Sequence, residues 1–382
     1  MSFYDLNVTK KIIKSNGIQS LGPGGTPVLP RLTIGGILEK VGVLSQGTAT
    51  YTLGGGTIAR DVQGGYNVFS NMAIIPNQQV PIVSVSGYGN FLFNIVKEAL
   101  EYDSHDCYGF LTGTATQLQD PVDTSWTDSS SIITAPSGSQ SPTWTVPHYL
   151  YTTQRMYNGI VGYWELGNPL AQLTVSLTPS YSGTASPYNI YSLTPGAAPY
   201  LTTGAATVTL ANPSADIIRY LYDTPVNPAD RPPVTFISTT IEDSFQNNVG
   251  SATQLKYTFQ PLSGYIARVI GYAFNSTTGK GVDPTLMLPT SSLQMNIGDG
   301  TSIISESIYE TVLRQKNQLD FDLPRGAFFL DFLGKDLTWQ EVYSTYDTSN
   351  INFVLNFSSA LGATSTAKIV KQVMKPLQYI AR

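Results

Sequence analysis

Short apolar segments, separated by turns that contain glycine or proline, run through most of the chain. Between residues 32 and 86 the turn signals are spaced about 8–12 residues apart, as in the short strands of a sandwich or barrel. Further along, residues 351–357 alternate, so that Ile351, Phe353, Leu355 and Phe357 share one face. The hydrophobic pattern therefore predicts a protein made mainly of β-strands.

Helical periodicity occurs in two places. After Asn90, a candidate N-cap, apolar residues recur every three or four positions, and Lys97, Glu98 and Glu101 fall on the opposite side of the helix. The second predicted helix spans residues 302–316, and its first residue, a serine, is the expected N-cap.

Each predicted helix follows a strand and a Gly-x-Gly segment. The segments are Gly87-Tyr-Gly89 before the first helix and Gly298-Asp-Gly300 before the second. Two parallel strand–Gly-x-Gly–helix units predict two similar domains.

The domain organisation is predicted from composition and turn signals. Residues 1–30 form an N-terminal arm, and residues 31–224 form a first β-domain with long insertion loops at about 110–215. A proline-rich linker at 225–233 leads to a second β-domain at 234–382. The insertion is rich in aromatic residues, which favours ordered loops over a flexible linker.

Composition narrows the function classes. Of the 382 residues only 12% are charged, and the net charge is −5, so no global basic field exists to gather nucleic acid phosphates. The first ten residues contain no apolar signal segment, and the single cysteine excludes an internal disulfide. We therefore expect synthesis in a cytoplasm and no sequence-specific nucleic acid partner.

Candidate enzyme motifs are few, and each has a simpler structural interpretation. His105-Asp-Cys107 lacks further metal or catalytic partners in the sequence. Gly87-Tyr-Gly89 lacks the third glycine of a dinucleotide fingerprint, and the acidic residues Asp320, Asp322 and Asp331 are expected to flank a turn and a strand. We predict no enzymatic activity, no metal and no cofactor.

The distribution of basic residues is more informative. Lys10, Lys11 and Lys14 lie near one terminus, and Lys371 and Lys375 lie near the other, where no acidic residue follows position 347. If both ends lie on one face, that face attracts anionic lipid or packaged nucleic acid at close range. The alternative is scattered, solvated lysines.

The carboxyl-terminal third carries a family resemblance. Residues 305–309, 323–332, 347–358 and 368–377 look like the helix, glycine-led strand, turn with strand, and final strand of the double jelly-roll major capsid proteins of tectiviruses and related membrane-containing phages. The arrangement of the first domain is similar to that family without matching residues.

The resemblance implies two consecutive eight-stranded jelly rolls, each with one short helix in a strand connection and with a large loop insertion in the first. It further implies a capsid protein of the virion that assembles as pseudo-hexameric homotrimers into an icosahedral shell, usually over an internal membrane. The implied partners are further copies of the chain, vertex (penton) and minor capsid proteins, and lipid. The five lysines named above are then expected to face the membrane or the interior.

Two other classes fit the composition. A β-rich adhesin or receptor-binding virion fibre is also rich in Gly, Thr, Ser and Tyr, but such proteins usually carry tandem repeats, which are absent at a fixed short period. A carbohydrate-active jelly-roll enzyme needs paired carboxylates beside aromatic side chains. Residues 171–215 contain aromatic residues and no carboxylate.

Overall fold

The computed structural model describes a set of ranges that covers most of both predicted domains. These are residues 11–21, 27–33, 35–53, 57–59, 68–77, 79–102, 132–134, 138–140, 143–156, 159–166, 172–179, 206–224, 236–246, 253–259, 264–275, 280–281, 292–297, 302–320, 323, 326–333, 343–344, 351–356 and 365–376. Within them the chain consists of β-strands and two helices, α1 (Gly87–Tyr102) and α2 (Ile308–Leu319). The prediction of a mainly β protein with two short helices is confirmed.

The first half of the chain, up to Tyr222, contains thirteen of the described strands. They are β1 (Lys11–Ser20), β2 (Ile37–Leu53), β3 (Thr57–Ala59), β4 (Phe69–Pro76), β5 (Val83–Val85), β6 (Ile132–Thr134), β7 (Gly138–Gln140), β8 (Thr143–Tyr151), β9 (Gln154–Met156), β10 (Gly159–Val161), β11 (Trp164–Glu165), β12 (Leu173–Pro179) and β13 (Ala206–Tyr222).

The second half, from Phe236 onward, contains the other ten described strands. They are β14 (Phe236–Gln246), β15 (Gln254–Phe259), β16 (Tyr265–Asn275), β17 (Lys280–Gly281), β18 (Ser292–Ile297), β19 (Ser302–Ser307), β20 (Ala327–Asp331), β21 (Tyr343–Ser344), β22 (Ile351–Asn356) and β23 (Ser365–Pro376).

The two halves share one strand topology. In the first half β1, β13, β2 and β8 lie side by side, and residues 28–32, β12, β4 and β5 form the opposite row. Residues 28–32 belong to that row because Val28 and Leu32 donate backbone hydrogen bonds to β12, each at 2.9 Å. In the second half the rows are β14-β23-β16-β20 and β15-β22-β18-β19.

The eight strands of each half can be numbered 1 to 8 in chain order, with residues 28–32 as strand 2 of the first half. The two rows then have the orders 1-8-3-6 and 2-7-4-5 in both halves. Two four-stranded antiparallel sheets connected in this way form a jelly roll. In both halves a helix follows the fifth strand: α1 follows β5, and α2 follows β19. The chain is a double jelly roll, so the predicted duplication is present in the strand order. The second predicted Gly-x-Gly segment, residues 298–300, lies outside the described residues, and β19 separates it from α2.

The halves are joined by a shared sheet. β5 pairs in parallel with β14, where the Thr240 amide donates to the Ile82 carbonyl at 2.8 Å. The core of the first half also extends across the boundary, since Ile270, Tyr272 and Phe329 pack in the same apolar cluster as α1. A separate core, around Leu293 and Phe353, lies between the two sheets of the second half.

The structure corrects three details of the sequence interpretation. The first concerns α1, which begins at Gly87 rather than after Asn90, so the Gly-x-Gly segment is its first turn. In addition, Lys97, Glu98 and Glu101, assigned to the face opposite the apolar one, are at most 8% exposed. Glu98 lies 3.6 Å from Lys40 of β2, and Glu101 pairs with Arg268 of the second half, so both halves cover this face. The periodicity of the helix did not indicate these contacts.

The second correction concerns α2. Residues 302–307 form β19, which pairs antiparallel with β18, and the helix begins at Ile308. The N-cap is Ser307, whose side chain accepts from the Glu310 amide while the Glu310 carboxylate accepts from the Ser307 amide. This capping box fixes the helix start, and Ile303 and Ile304 before it pack on the second core.

The third correction concerns the predicted arm and insertion. Residues 11–20 of the arm form β1, which pairs with β13 along its whole length. The span 110–215 contains β8, β12 and the start of β13, three of the eight strands of the first jelly roll. The predicted linker at 225–233 lies outside the described residues, so the domain limits remain predictions.

Candidate functional site

A group of charged side chains is buried where α1 meets the second half. The Glu101 carboxylate, in the last turn of α1, accepts two hydrogen bonds of 2.7 Å from Lys97 Nζ. Arg268 of β16 forms an ion pair with the same carboxylate, and its Nε donates to Asp331 Oδ1 at 2.6 Å. The four side chains, at most 1% exposed, form an ionic junction of two cations and two anions.

Amide side chains extend the ionic junction to further strands. Gln154 Nε2 of β9 donates to Glu101 Oε1 at 2.8 Å, and Gln372 Nε2 of β23 donates to Gln154 Oε1 at 2.9 Å. Gln372 Nε2 also reaches Ser238 Oγ of β14 at 3.0 Å. The network therefore ties α1 and β9 of the first half to four strands of the second.

The electrostatics follow from burial and pairing. Burial lowers the pKa of Lys97 to about 8, although the Glu101 charge acts in the other direction. Burial by itself raises the pKa of Glu101, but the charges of Lys97 and Arg268 outweigh it and leave that pKa below its ordinary value. Burial likewise lowers the pKa of Arg268, yet Asp331 and Glu101 more than compensate and raise it. Glu101 and Arg268 are therefore ionised at neutral pH.

A second contact between the halves caps α1. Glu242 Oε2 of β14 accepts from the Ser86 amide at 2.8 Å and from the Ser86 hydroxyl at 2.7 Å, directly before the helix. Glu242 Oε1 accepts from the Tyr272 hydroxyl at 3.0 Å and is 2.9 Å from Lys368 Nζ. A Cβ added to Gly89 would lie 2.1 Å from Glu242 Oε2, so glycine is needed for this close approach.

This geometry assigns the Gly-x-Gly segment to an internal contact. The positive end of α1, where a bound phosphate would sit, holds the Glu242 carboxylate of the second half. The acidic residues behave as the sequence interpretation expected: Asp320 is the left-handed C-cap of α2, and Asp331 ends β20 paired with Arg268. Asp322 lies outside the described residues, as do His105 and Cys107.

Neither a metal centre nor a membrane-crossing helix is found in the described part of the chain. No group of three or more His, Cys, Asp or Glu side chains there is positioned to hold a metal ion. Neither α1 nor α2 is both long enough and apolar enough to cross a bilayer.

The predicted basic residues are distributed over two sheets. Lys14 is exposed on β1 opposite Arg219, whereas Lys10 lies outside the described residues, and of Lys11 only the backbone pairing with Tyr222 is described. The lysines of the two sheets also differ in burial and in their contacts.

Lys371 and Lys375 lie on β23 and differ in environment. Lys371 is 7% exposed, pairs with Asp243 and donates to the Tyr257 hydroxyl at 2.8 Å. Lys375 is half-buried, and burial together with the Lys371 charge lowers its pKa. The structure thus engages Lys371 within the fold, which the terminal position of this lysine did not indicate.

Sequence reasoning missed the residues that join the halves. Arg268 stands inside the apolar strand segment 267–270, and a cation in such a strand is itself a signal of a buried partner. The Lys97 and Glu101 pair has the i,i+4 spacing of a surface ion pair, so its spacing carried no sign of burial. Glu242 carried no signal in the sequence.

These features define a class of fold: two jelly rolls in one chain, fixed to each other by a shared sheet, a capped helix and the ionic junction. This is the fold of the double jelly-roll major capsid proteins of icosahedral viruses. No family model and no curated protein matches the sequence.

Solved structures match over almost the whole chain. The crystal structure of the STIV major capsid protein has a TM-score of 0.66 at 13% identity, covering 97% of this chain and 98% of that chain. The atomic structure of Sulfolobus turreted icosahedral virus gives 0.63 at 13% identity, covering 96% and 90%. PBCV-1 VP54, fitted into a reconstruction of the virophage Sputnik, gives 0.55 at 12% identity, covering 96% and 94%.

Proposed function

We propose that the chain is the major capsid protein of an icosahedral virus and acts in the virion as a homotrimer. The observation that carries the proposal is the duplicated eight-stranded topology, which matches the STIV major capsid protein over 97% of the chain. Three copies of a chain with two equivalent jelly rolls present six similar barrels, so they form a pseudo-hexagonal block that tiles a closed shell.

The rigid union of the two halves supports this role. A tile that mimics a hexagon requires its two barrels to keep one relative orientation. The ionic junction, the Glu242 cap and the β5–β14 pairing all act across that boundary. Because a shift at the boundary would separate the buried charges of Glu101 and Arg268, the network also disfavours other arrangements of the halves.

The positions of the basic residues near the two termini support an orientation of the molecule in the shell. β1 begins opposite Tyr222, whose apolar cluster includes Ile160 of β10. The next residue, Val161, packs in the cluster of Met374, which precedes Lys375. β10 therefore connects the start of β1 with the end of β23, which supports placing Lys10, Lys11, Lys14 and Lys375 at one end of the tile.

We assign that basic end to the inner side of the shell, facing an internal membrane or the packaged genome. Vertex and minor capsid proteins are the further partners of such a shell. The chain has no catalytic role in this proposal, because the described carboxylates of the ionic junction are paired within the protein.

Sedimentation velocity of the purified chain tests the proposal. Three chains of 41.3 kDa in one particle, or shells built from such particles, are expected. Extended fibres would favour the adhesin alternative, and a monomer at all concentrations, in the presence or absence of lipid, would refute the capsid assignment.

A further inference from the structure

The second half presents an apolar surface that the chain itself does not cover. On α2, Tyr309, Val312 and Leu313 are 60%, 42% and 61% exposed, and their three- and four-residue spacing places them on one stripe. The buried side of the same helix includes Thr311, Gln315 and Leu319, at 0%, 4% and 1% exposure. A helix that exposes a stripe of three large apolar side chains is suited to a partner on its outer face.

The equivalent helix of the first half already has such a partner. α1 packs against the outer face of the sheet β14-β23-β16-β20, where Ile270, Tyr272, Phe329 and Val370 belong to its apolar cluster. The strand before it, β5, pairs in parallel with the edge strand β14. Within one chain, the fifth strand and helix of one jelly roll therefore dock on the first strand and outer sheet face of the next.

The second half has an equivalent fifth strand, β19, and the first half has an equivalent first strand, β1; each has one edge without a paired strand among the described residues. In the described residues β19, the fifth strand of the second half, pairs on one side with β18, and β1, the first strand of the first half, pairs on one side with β13. β1 is the far edge of its sheet, because β8 forms the opposite edge and is the strand that α1 contacts. The two free edges thus lie at opposite ends of the chain's pair of barrels.

The outer face beside β1 carries exposed apolar side chains. Ile13 and Ile18 are 64% and 65% exposed, and cross-strand pairing puts them on the same face as Tyr220, Leu44 and Asp216. None of these five side chains is fully buried. This face is the topological counterpart of the one that α1 covers in the second half.

We propose that α2 and β19 of one copy dock on β1 and its outer sheet face in a second copy of this chain, repeating the α1 contact between subunits. The inference rests on the proposed homotrimer and names its contact surfaces. The contact is head-to-tail, so it uses different patches on the two copies and closes when the last copy meets the first. Each copy contributes α2 to one neighbour and β1 to the other.

The two helices differ in a way that fits this assignment. α1 has no acidic residue in its first turn and takes its cap from Glu242 of the other half. α2 carries its own capping box, formed by Ser307 and Glu310, so its start is fixed before any second copy binds. A helix that must meet a separate molecule is thereby preformed.

Substitutions at the two patches test the inference in the full-length protein. Leu313→Glu on α2 and Ile13→Glu on β1 each place a charge in the contact, and each is expected to raise the concentration at which trimers dissociate about thirtyfold or more. Val80→Glu is the matched control, because Val80 is 78% exposed and lies outside both patches. Native mass spectrometry and sedimentation report the oligomer, and circular dichroism reports folding.

Mixing the two variants gives the sharper result. Each variant retains one intact patch, so an equimolar mixture should form dimers that contain one copy of each and should not form closed trimers. If either variant failed to fold, Tyr309→Lys and Ile18→Lys would take its place. Trimers of undiminished stability in the α2 and β1 variants would overturn the inference while leaving the proposed function intact, whereas a monomeric wild type would overturn the proposed function itself.

Discussion

The carboxylate of Glu242 in the second half caps α1 of the first half through Ser86, at 2.8 Å from the Ser86 amide and 2.7 Å from its hydroxyl. A helix that begins with Gly-Tyr-Gly-Asn has no carboxylate of its own to offset its positive end. The first jelly roll therefore completes its helix only against the second, and this coupling makes the two barrels one unit.

Replacing Glu242 with Gln should weaken that coupling. The amide removes the negative charge at the helix start and leaves Lys368 without its partner, so the free energy of unfolding should fall by about 1–2 kcal/mol. Denaturant titration measures the change. Glu310→Gln, in the exposed capping box of α2, is the control and should cost less; equal losses would argue against a special role for the contact between the halves.

Arg268→Met tests the ionic junction. Removing this guanidinium leaves Glu101 and Asp331 buried with less positive charge nearby, and the expected loss is about 3–5 kcal/mol. Arg314→Met is the matched control, because Arg314 pairs with Glu306 at 2.9 Å but is 25% exposed, so about 1 kcal/mol or less is expected. A cost for Arg268→Met no greater than that of the control would contradict the account.

His148 should make the protein sensitive to mild acid. It is 1% exposed on β8, and burial lowers its pKa from 6.5 to about 3. Because the unfolded chain then binds a proton that the folded chain does not, stability should fall as the pH drops below 6.5, by about 2 kcal/mol between pH 6.5 and 5. His148→Leu should show a smaller loss over that range in denaturant titrations; an unchanged pH dependence would exclude this histidine as the cause.

The basic residues should separate into two groups. Lys371→Ala removes the ion pair with Asp243 and should lower the free energy of unfolding by about 1 kcal/mol. Lys14→Ala together with Lys375→Ala should leave folding nearly unchanged and weaken binding to vesicles that contain phosphatidylglycerol, as measured by cosedimentation. Lys256→Ala together with Lys316→Ala, at exposed positions of β15 and α2, removes the same two positive charges and is the control. Equal binding by the two double variants would contradict the proposed inner face.

Strands in which apolar and polar residues alternate, and strands formed by short apolar segments, were predictable from the sequence. The alternating segment 351–357 appears as β22 because Ile351, Phe353 and Leu355 all contact one core. The start of α2 was predictable in principle, since Ser307 and Glu310 have the spacing of a capping box. The choice of Ser302 failed because Ile303 and Ile304 satisfy a strand as well as a helix.

The contacts between the halves were not predictable from local pattern. Lys97 and Glu101 have the spacing of a solvated pair, and only the approach of Arg268, distant in sequence, shows that they are buried. The same holds for Glu242, whose partner Ser86 lies 156 positions earlier. Such residues are fixed by tertiary packing, which local periodicity does not encode.

Electron microscopy of the purified chain tests the central claim most directly. If the protein is a double jelly-roll capsid tile, two-dimensional class averages will show particles with three-fold symmetry and six lobes, two from each chain. Particles with two lobes at every concentration, or extended fibres, would contradict the account.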